Sequence, residues 1–134
     1  MENIKKILIV EDEAAFLKAF ADELTFRGVK VSTASDGKVG LQKALKEHPD
    51  LIFLDIILPT MDGIAVVKEL RKDAWGKTAT VILLTQIDDA SRVAEAMESG
   101  VFKYFIKADQ SLSDIIDETK KYLSGLKLSG GKIG

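Results

Sequence analysis

The sequence predicts an α/β fold in which a doubly wound parallel sheet of five strands is covered by five helices. Three observations lead to this prediction. Five short apolar runs, rich in β-branched residues, recur at similar spacing along the chain. The stretches between them carry apolar residues with helical period. The 134 residues, 46% of them hydrophobic, provide one sizeable core and leave no room for a second folded domain.

Each apolar run is predicted to form a strand. Strands that alternate with helices in one domain favour a parallel sheet, since each crossover must return the chain to the same edge. The first and third runs are apolar at nearly every position, which is typical of central strands covered on both faces. The predicted strands comprise residues 5–10, 29–33, 51–54, 80–84 and 102–106.

The helices are predicted from apolar residues that recur every three or four positions. A fourth helix is assigned to residues 88–99, a segment that begins with two acids. Asp-Gly, Asp-Asp or Ser at the start and Gly at the end are ordinary helix signals. The periodic residues are Leu17, Phe20, Ala21 and Leu24, then Leu41, Ala44 and Leu45, then Ile64, Val67 and Leu70, and finally Leu112, Ile115, Ile116, Thr119, Tyr122 and Leu123. The predicted starts are Asp36-Gly37, Asp62-Gly63, Asp88-Asp89 and Ser111, and the predicted ends are Gly28 and Gly100.

The end of the chain, "LSGLKLSGGKIG", has four glycines and no periodic apolar face. We therefore expect one domain over residues 1–124 and a flexible glycine-rich tail or linker over residues 125–134.

Composition excludes several classes of function. The 19 basic and 21 acidic residues are spread along the chain and give a net charge of −2, so no basic face for direct nucleic-acid binding is expected. The absence of cysteine excludes disulfides and thiolate chemistry. No apolar run approaches the roughly 20 residues of a membrane helix, and the start "MENIKKILIV" has no signal-peptide layout. These features predict a cytoplasmic protein without a membrane span.

Polar residues follow four of the five predicted strands. In an open parallel sheet the carboxyl ends of the strands share one edge, where such folds bind ligands. Taken singly each residue has a structural explanation, such as a helix N-cap for Asp12 or a snorkelling stem for Lys107. Together they indicate a functional edge. The residues are Glu11 and Asp12 after the first strand, Asp55 after the third, Thr85 after the fourth and Lys107 after the fifth.

Crowded carboxylates predict a bound cation at this edge. Oxygen ligands with no His or Cys nearby suit a hard ion, and an ion shared with phosphate oxygens suits Mg²⁺ best. We expect Mg²⁺ to be held by Asp12, Asp55 and the backbone carbonyl of Ile57. A phosphoryl group could then transfer onto Asp55 while Lys107 and the Thr85 hydroxyl offset its charge.

The stretches "ILIVEDE", "DLIFLDIILPTMDG", "VILLT" and "GVFKYFIK" resemble the receiver domain of response regulators in two-component signalling. The resemblance covers residues 4–124. It implies the flavodoxin-like strand order 2-1-3-4-5, of which receivers are a known example. Position by position, it implies that Glu11 joins Asp12 in the acidic pair, that Asp55 accepts the phosphoryl group and that Lys107 is the family's lysine.

The same resemblance implies a switch built from Thr85 and Tyr104. A hydroxyl that moves toward the phosphoryl group vacates space that an aromatic ring can fill, which would repack the face formed by the fourth helix, fifth strand and fifth helix. The implied partners are a sensor histidine kinase or phosphotransfer protein as donor and a downstream effector protein, with a homodimer as a further expectation. Tyr104 also has a simpler reading as a core aromatic.

Several positions depart from the family's pattern. Ala108 follows Lys107 where the family usually has proline, often after a cis bond. The resemblance therefore leaves open in which direction the Lys107 side chain points. Gln86 follows Thr85 where the family prefers a small residue, which predicts narrower access for the donor. Ile57 and Ile87 are apolar where a polar side chain could orient an attacking water, which predicts slow self-dephosphorylation. Phe16 and Ala15, near the start of the first helix, could contact a kinase, but packing in the core is the expected role.

Two other functions stay open. A degenerate receiver would bind partners without phosphorylation, which Ala108 and Gln86 favour and the full set of site residues disfavours. An aspartyl-nucleophile phosphohydrolase would need a second acid two residues after Asp55, where this chain has Ile57. The main prediction is a signalling switch that catalyses its own phosphorylation and is not otherwise an enzyme.

Overall fold

A computed structural model describes residues 6–86 and 90–131. Its strands are β1 (Lys6–Val10), β2 (Lys30–Ala34), β3 (Leu51–Asp55), β4 (Val81–Thr85) and β5 (Lys103–Ile106). Its helices are α1 (Ala14–Phe26), α2 (Gly37–Glu47), α3 (Gly63–Leu70), α4 (Ala90–Glu98) and α5 (Leu112–Gly131), with short 3₁₀ turns at Gly76–Thr78 and Lys107–Asp109.

The five strands form one parallel sheet in the order β2-β1-β3-β4-β5, as predicted. Their ends are level at the carboxyl edge. Val10 pairs with Leu54, Asp55 with Leu84, and Thr85 with Ile106. This register brings the residues after each strand to one rim of the sheet.

The core lies in two layers, because successive side chains of a strand point to opposite faces of the sheet. One layer joins Leu8, Leu54 and Leu83 to apolar residues of α2, α3 and α4. The other joins Ile9 and Phe53 to residues of α1 and α5. The central strands β1, β3 and β4 are buried along almost their whole length, which confirms that they are covered on both faces.

Most of the residues predicted to begin a helix do cap or precede a helix in the structure. The Asp36 and Asp62 carboxylates accept hydrogen bonds from the backbone N–H groups of Val39 and Ala65, each at 2.9 Å, and so cap α2 and α3. Ser111 precedes α5, and its hydroxyl accepts from the Asp114 N–H at 3.1 Å. The start predicted for α4 at Asp88-Asp89 lies outside the described residues.

The ends of α1 and α4 also follow the prediction. Gly28 and Gly100 have φ of 89° and 90°, a left-handed backbone that glycine adopts without steric cost. The start of α1 differs, because Glu13 and not Asp12 precedes its first residue. Asp12 is therefore left available to the carboxyl edge of the sheet.

The last helix is longer than the sequence indicates. α5 continues to Gly131, so residues 125–131 have helical backbone in the stretch predicted to be a flexible tail. No proline interrupts this segment, and its leucines and lysine are good helix formers. Flexibility of the tail stays a prediction, and residues 132–134 lie outside the described part of the chain. None of the described helices is both long and apolar enough to span a bilayer.

Candidate functional site

The acidic residues predicted to meet at the carboxyl edge do meet there. One carboxylate oxygen from each of Glu11, Asp12 and Asp55 lies within 4.8 Å of the other two, and we call these three residues the acidic cluster. Glu11 and Asp55 are buried, whereas Asp12 is exposed. The cluster opens into a cavity of about 270 Å³ that is also lined by Glu13, Ile57, Gln86 and Lys107.

The rigid end of β3 positions Asp55. Its side chain accepts a hydrogen bond from the Ile57 N–H at 3.4 Å, and the chain then turns tightly into α3. The Gly63 N–H donates to the Ile56 carbonyl at 2.7 Å. A Cβ at position 63 would lie 2.1 Å from the Asp55 carbonyl oxygen, so only glycine fits this close return of the chain.

Lys107 reaches into the acidic cluster from the end of β5. Its ammonium contacts the Glu11 carboxylate directly, lies 3.3 Å from an Asp55 oxygen and lies 3.6 Å from a Glu13 oxygen. The Lys107 side chain is only 8% exposed, so these ion pairs are shielded from water. The Lys107 ammonium thus contacts carboxylates that lie at the carboxyl ends of β1 and β3.

The ionisation of these groups reflects burial and their mutual charges. Burial raises the pKa of Glu11 above its ordinary value, although Lys107 works against this, and it raises the pKa of Asp55 in the same way. Burial alone would lower the pKa of Lys107, but contact with Glu11 and Asp55 outweighs it and raises that pKa. The two buried carboxylates, Glu11 and Asp55, therefore carry more negative charge than the single Lys107 ammonium can neutralise.

The donor set fits Mg²⁺. Glu11, Asp12 and Asp55 offer hard carboxylate oxygens at a spacing that one ion can bridge, and no His or Cys is among the described residues that line the cavity. Burial of two of these acids makes a cation favourable at this place. Ile57 also lines the cavity, and the role of its backbone carbonyl as a ligand stays a prediction.

Thr85 and Tyr104 lie on the same face of the sheet. Tyr104 pairs with Leu83, and Ile106 pairs with Thr85, and directly opposed residues of neighbouring strands point to one side. Thr85 is fully buried at the end of β4, whereas Tyr104 is 39% exposed. The simpler reading of Tyr104 as a core residue is therefore wrong.

The departures from the family pattern have distinct outcomes. No peptide bond is cis in residues 6–86 or 90–131, so Lys107 reaches Asp55 through a trans bond to Ala108. Gln86 lines the cavity, as narrowed donor access would require. Ile57 is 59% exposed and presents an apolar side chain beside Asp55. Ile87 lies outside the described residues.

Sequence reasoning missed two residues of the site. Glu13 approaches Lys107 as described above, and the Phe16 ring centroid lies 4.7 Å from the Lys107 ammonium. Phe16 also packs on Phe20, so its expected core role is only part of its placement. Glu13 directly precedes α1 and Phe16 is its third residue, so both lie at the amino end of this helix. That signal becomes useful only once the end of the helix is known to meet Lys107.

Comparisons with known proteins agree with this geometry. The family model described as "Response regulator receiver domain" matches residues 7–119. The "Probable transcriptional regulator ycf27" of Guillardia theta is 37% identical over 107 residues, which are 80% of this chain and 41% of that protein. The chain thus spans less than half the length of this relative.

Solved structures share the fold. A "response regulator receiver domain protein (CheY-like)" from Methanospirillum hungatei has a TM-score of 0.83 at 27% identity, covering 92% of this chain and 97% of that one. The phosphorylated cyanobacterial phytochrome response regulator RcpA has a TM-score of 0.74 at 26% identity, covering 92% and 91%. With the family model matching most of its length, the chain belongs to the response regulator receiver domain family.

Proposed function

We propose that this chain is a phosphorylatable signalling switch whose acceptor is Asp55. One observation carries the proposal: a buried carboxylate at the end of a rigid strand is flanked by two further acids and by a shielded lysine. This arrangement suits a nucleophile whose product bears additional negative charge. The solved structure of a phosphorylated relative of 26% identity supports the same chemistry for the family.

The proposed step is a phosphoryl transfer. An oxygen of the Asp55 carboxylate attacks phosphorus and forms a new O–P bond. The P–N bond of a phosphohistidine donor, or the P–O bond of a small acyl phosphate, breaks at the same centre. The leaving group keeps the bonding electron pair, and a histidine leaving group takes up a proton. No oxidant or further reactant is needed.

Residues of the chain share the task of handling charge. Glu11, Asp12, Asp55 and the Ile57 carbonyl are the proposed ligands of Mg²⁺, which when bound offsets the charge of the phosphoryl oxygens. The Lys107 ammonium, already within 3.3 Å of Asp55, would follow the phosphoryl oxygens as charge shifts onto them. The Thr85 hydroxyl is proposed to donate to one of these oxygens, and Tyr104 to repack as Thr85 moves.

The partners follow from this switch. We infer that the donor is a sensor histidine kinase or a phosphotransfer protein in the cytoplasm, and that a downstream effector reads the surface around Tyr104. A homodimer through that surface is a further proposal. Residues 1–124 would form the receiver and residues 125–134 a flexible tail.

The experiment is an intact-mass measurement after incubation with acetyl phosphate and Mg²⁺. We expect the mass to rise by one phosphoryl group in the wild type and to stay unchanged in Asp55→Asn and in samples with excess chelator. A wild-type mass that does not change would support the degenerate receiver. Release of many equivalents of phosphate per protein would support the phosphohydrolase.

A further inference from the structure

An aromatic ring lies against the Lys107 ammonium. The Phe16 ring centroid is 4.7 Å from Nζ, within the roughly 6 Å at which a cation is attracted by the face of an aromatic ring. Phe16 is the third residue of α1, whereas Lys107 follows β5. The contact therefore joins two distant parts of the chain at the functional edge.

The core fixes the position of this ring. Phe16 meets Phe20 edge-on at 5.8 Å between centroids, and Phe20 lies 4.8 Å from Phe53. Phe20 and Phe53 are both fully buried. Phe53 lies in β3 two residues before Asp55. The Phe16 ring is therefore positioned, through Phe20, by the same strand that carries the Asp55 carboxylate.

Lys107 needs such a support. Its ammonium is surrounded by the carboxylates of Glu11, Asp55 and Glu13, and the Glu13 carboxylate is about half exposed. A lysine stem has four rotatable bonds and Ala108 adds no ring to restrain the adjoining backbone. Without an apolar wall, the ammonium could follow Glu13 toward water and leave Asp55.

We propose that Phe16 is a positioning residue that keeps the Lys107 ammonium aimed at Asp55. The inference rests on the proposed phosphoryl transfer for its kinetic consequence and on geometry alone for the contact itself. Phe16→Leu removes the π face at similar volume. Phe16→Tyr retains the ring and serves as the conservative rescue. Phe26→Leu, a change on the same helix at a side chain that is 87% exposed, is the matched control.

The contact is tested first without metal or donor, by NMR of protein with ¹³C-labelled lysine. Protons held over a ring face are shifted upfield, so the Lys107 ε-methylene signal, assigned by its loss in Lys107→Arg, should lie upfield of the exposed lysines. The Lys103 ammonium lies 5.3 Å from the Phe105 ring centroid, so its signal is identified separately by its loss in Lys103→Arg. We expect Phe16→Leu to abolish this shift and Phe16→Tyr and Phe26→Leu to keep it. A wild-type signal among those of exposed lysines would overturn the inference.

The kinetic consequence is tested with acetyl phosphate and Mg²⁺. We expect Phe16→Leu to lower the phosphorylation rate about fivefold, the factor that a contact of this kind supplies. Phe16→Tyr should recover most of the rate, and the Mg²⁺ dissociation constant from calorimetry should change less than twofold in both variants. Thermal melts identify any variant whose fold is weakened.

The outcomes separate the two proposals. If the wild type is not phosphorylated, the proposed function fails, and the NMR shift still decides whether Phe16 holds Lys107. If the wild type is phosphorylated and Phe16→Leu reacts as fast as Phe26→Leu, the positioning role fails while the function stands. Equal losses in Phe16→Leu and Phe16→Tyr would assign Phe16 to packing alone and also reject the positioning role.

Discussion

At the scale of single residues, the two buried acids dominate the behaviour of the site. Burial raises the pKa of both Glu11 and Asp55, so the folded protein binds protons that the unfolded chain has already released. Stability then falls as the pH rises from the ordinary values of 4.5 and 3.8 through the raised values. Ionisation of Glu11 and Asp55 at neutral pH therefore opposes folding.

Asp55→Asn should accordingly stabilise the protein at pH 7 and have little effect near pH 4. The substitution removes one buried negative charge and leaves Glu11 to pair with Lys107. Thermal melts of both proteins at the two pH values, without divalent ions, provide the measurement. A variant that is less stable than the wild type at pH 7 would contradict the sign of the raised pKa.

Ile57 should set the lifetime of the acyl phosphate. Its side chain is apolar and exposed beside Asp55, so it offers no hydrogen bond to an attacking water. Ile57→Asn should shorten the lifetime of the acyl phosphate about tenfold. This is less than the rate increase that a side chain positioned for proton transfer typically supplies. The decay is followed by mass after the donor is removed in Mg²⁺ buffer, and Ile57→Leu is the control. Loss of the wild-type phosphoryl group within seconds would refute slow self-dephosphorylation.

At the scale of elements, one side chain ties α3 to the end of α4. Arg71, the residue that ends α3, donates to the carbonyls of Gly76 at 2.6 Å, Ala79 at 3.0 Å, Ser99 at 3.0 Å and Gly100 at 2.7 Å. Four carbonyls from two loops thus accept hydrogen bonds from one guanidinium. Lysine has no such planar, forked arrangement of N–H donors. The contact fixes the C-terminal end of α4.

Arg71→Lys should lower the free energy of unfolding by about 2–3 kcal/mol, because most of these carbonyls lose a charged donor. Chemical denaturation gives the value. Lys72→Met is the control on the neighbouring residue, where an exposed ion pair with Glu69 should contribute less than about 0.5 kcal/mol. Equal effects of the two substitutions would show that the Arg71 hydrogen bonds do not stabilise the fold.

At the scale of the whole molecule, binding of Mg²⁺ should be measurable as stability. An ion that binds only the folded chain at 100 times its dissociation constant adds about 2.7 kcal/mol to the free energy of unfolding. The gain should disappear with chelator and fall as the pH is lowered and Glu11 and Asp55 take up protons. Asp12→Asn, a change at an exposed residue that we propose as a ligand, should abolish most of it. Equal stabilisation of that variant would place the ion elsewhere.

Much of the fold was predictable because its signals are local. Hydrophobic periodicity located the described strands to within one residue at either end, and Asp36, Asp62, Gly28 and Gly100 marked helix ends. The strand order came from resemblance to a family. The extra length of α5 was not predicted, since glycines in a short apolar segment indicate a loop as readily as a helix.

The site was predictable to the extent that it depends on strand ends. Glu11, Asp12, Asp55 and Lys107 come together because parallel strands share an edge. The contacts of Glu13 and Phe16 with Lys107 were not predictable, since they depend on how α1 lies across the sheet. The exposure of Tyr104 was likewise beyond the sequence pattern, because an aromatic in a strand suits a core equally well.

The rings of His48 and Trp75 form a stacked pair, which has a practical consequence for spectroscopy. Their rings lie 4.4 Å apart and nearly parallel, at 11°, where α2 ends and the chain approaches β4. This is the amino end of the strands, about 16 Å from the site by the length of a five-residue strand. Because the chain has one tryptophan, its fluorescence should report global unfolding through release of the imidazole quencher. The emission should stay constant during a Mg²⁺ titration, and an intensity change on adding the ion would show that occupancy at one end of the sheet is transmitted to the other.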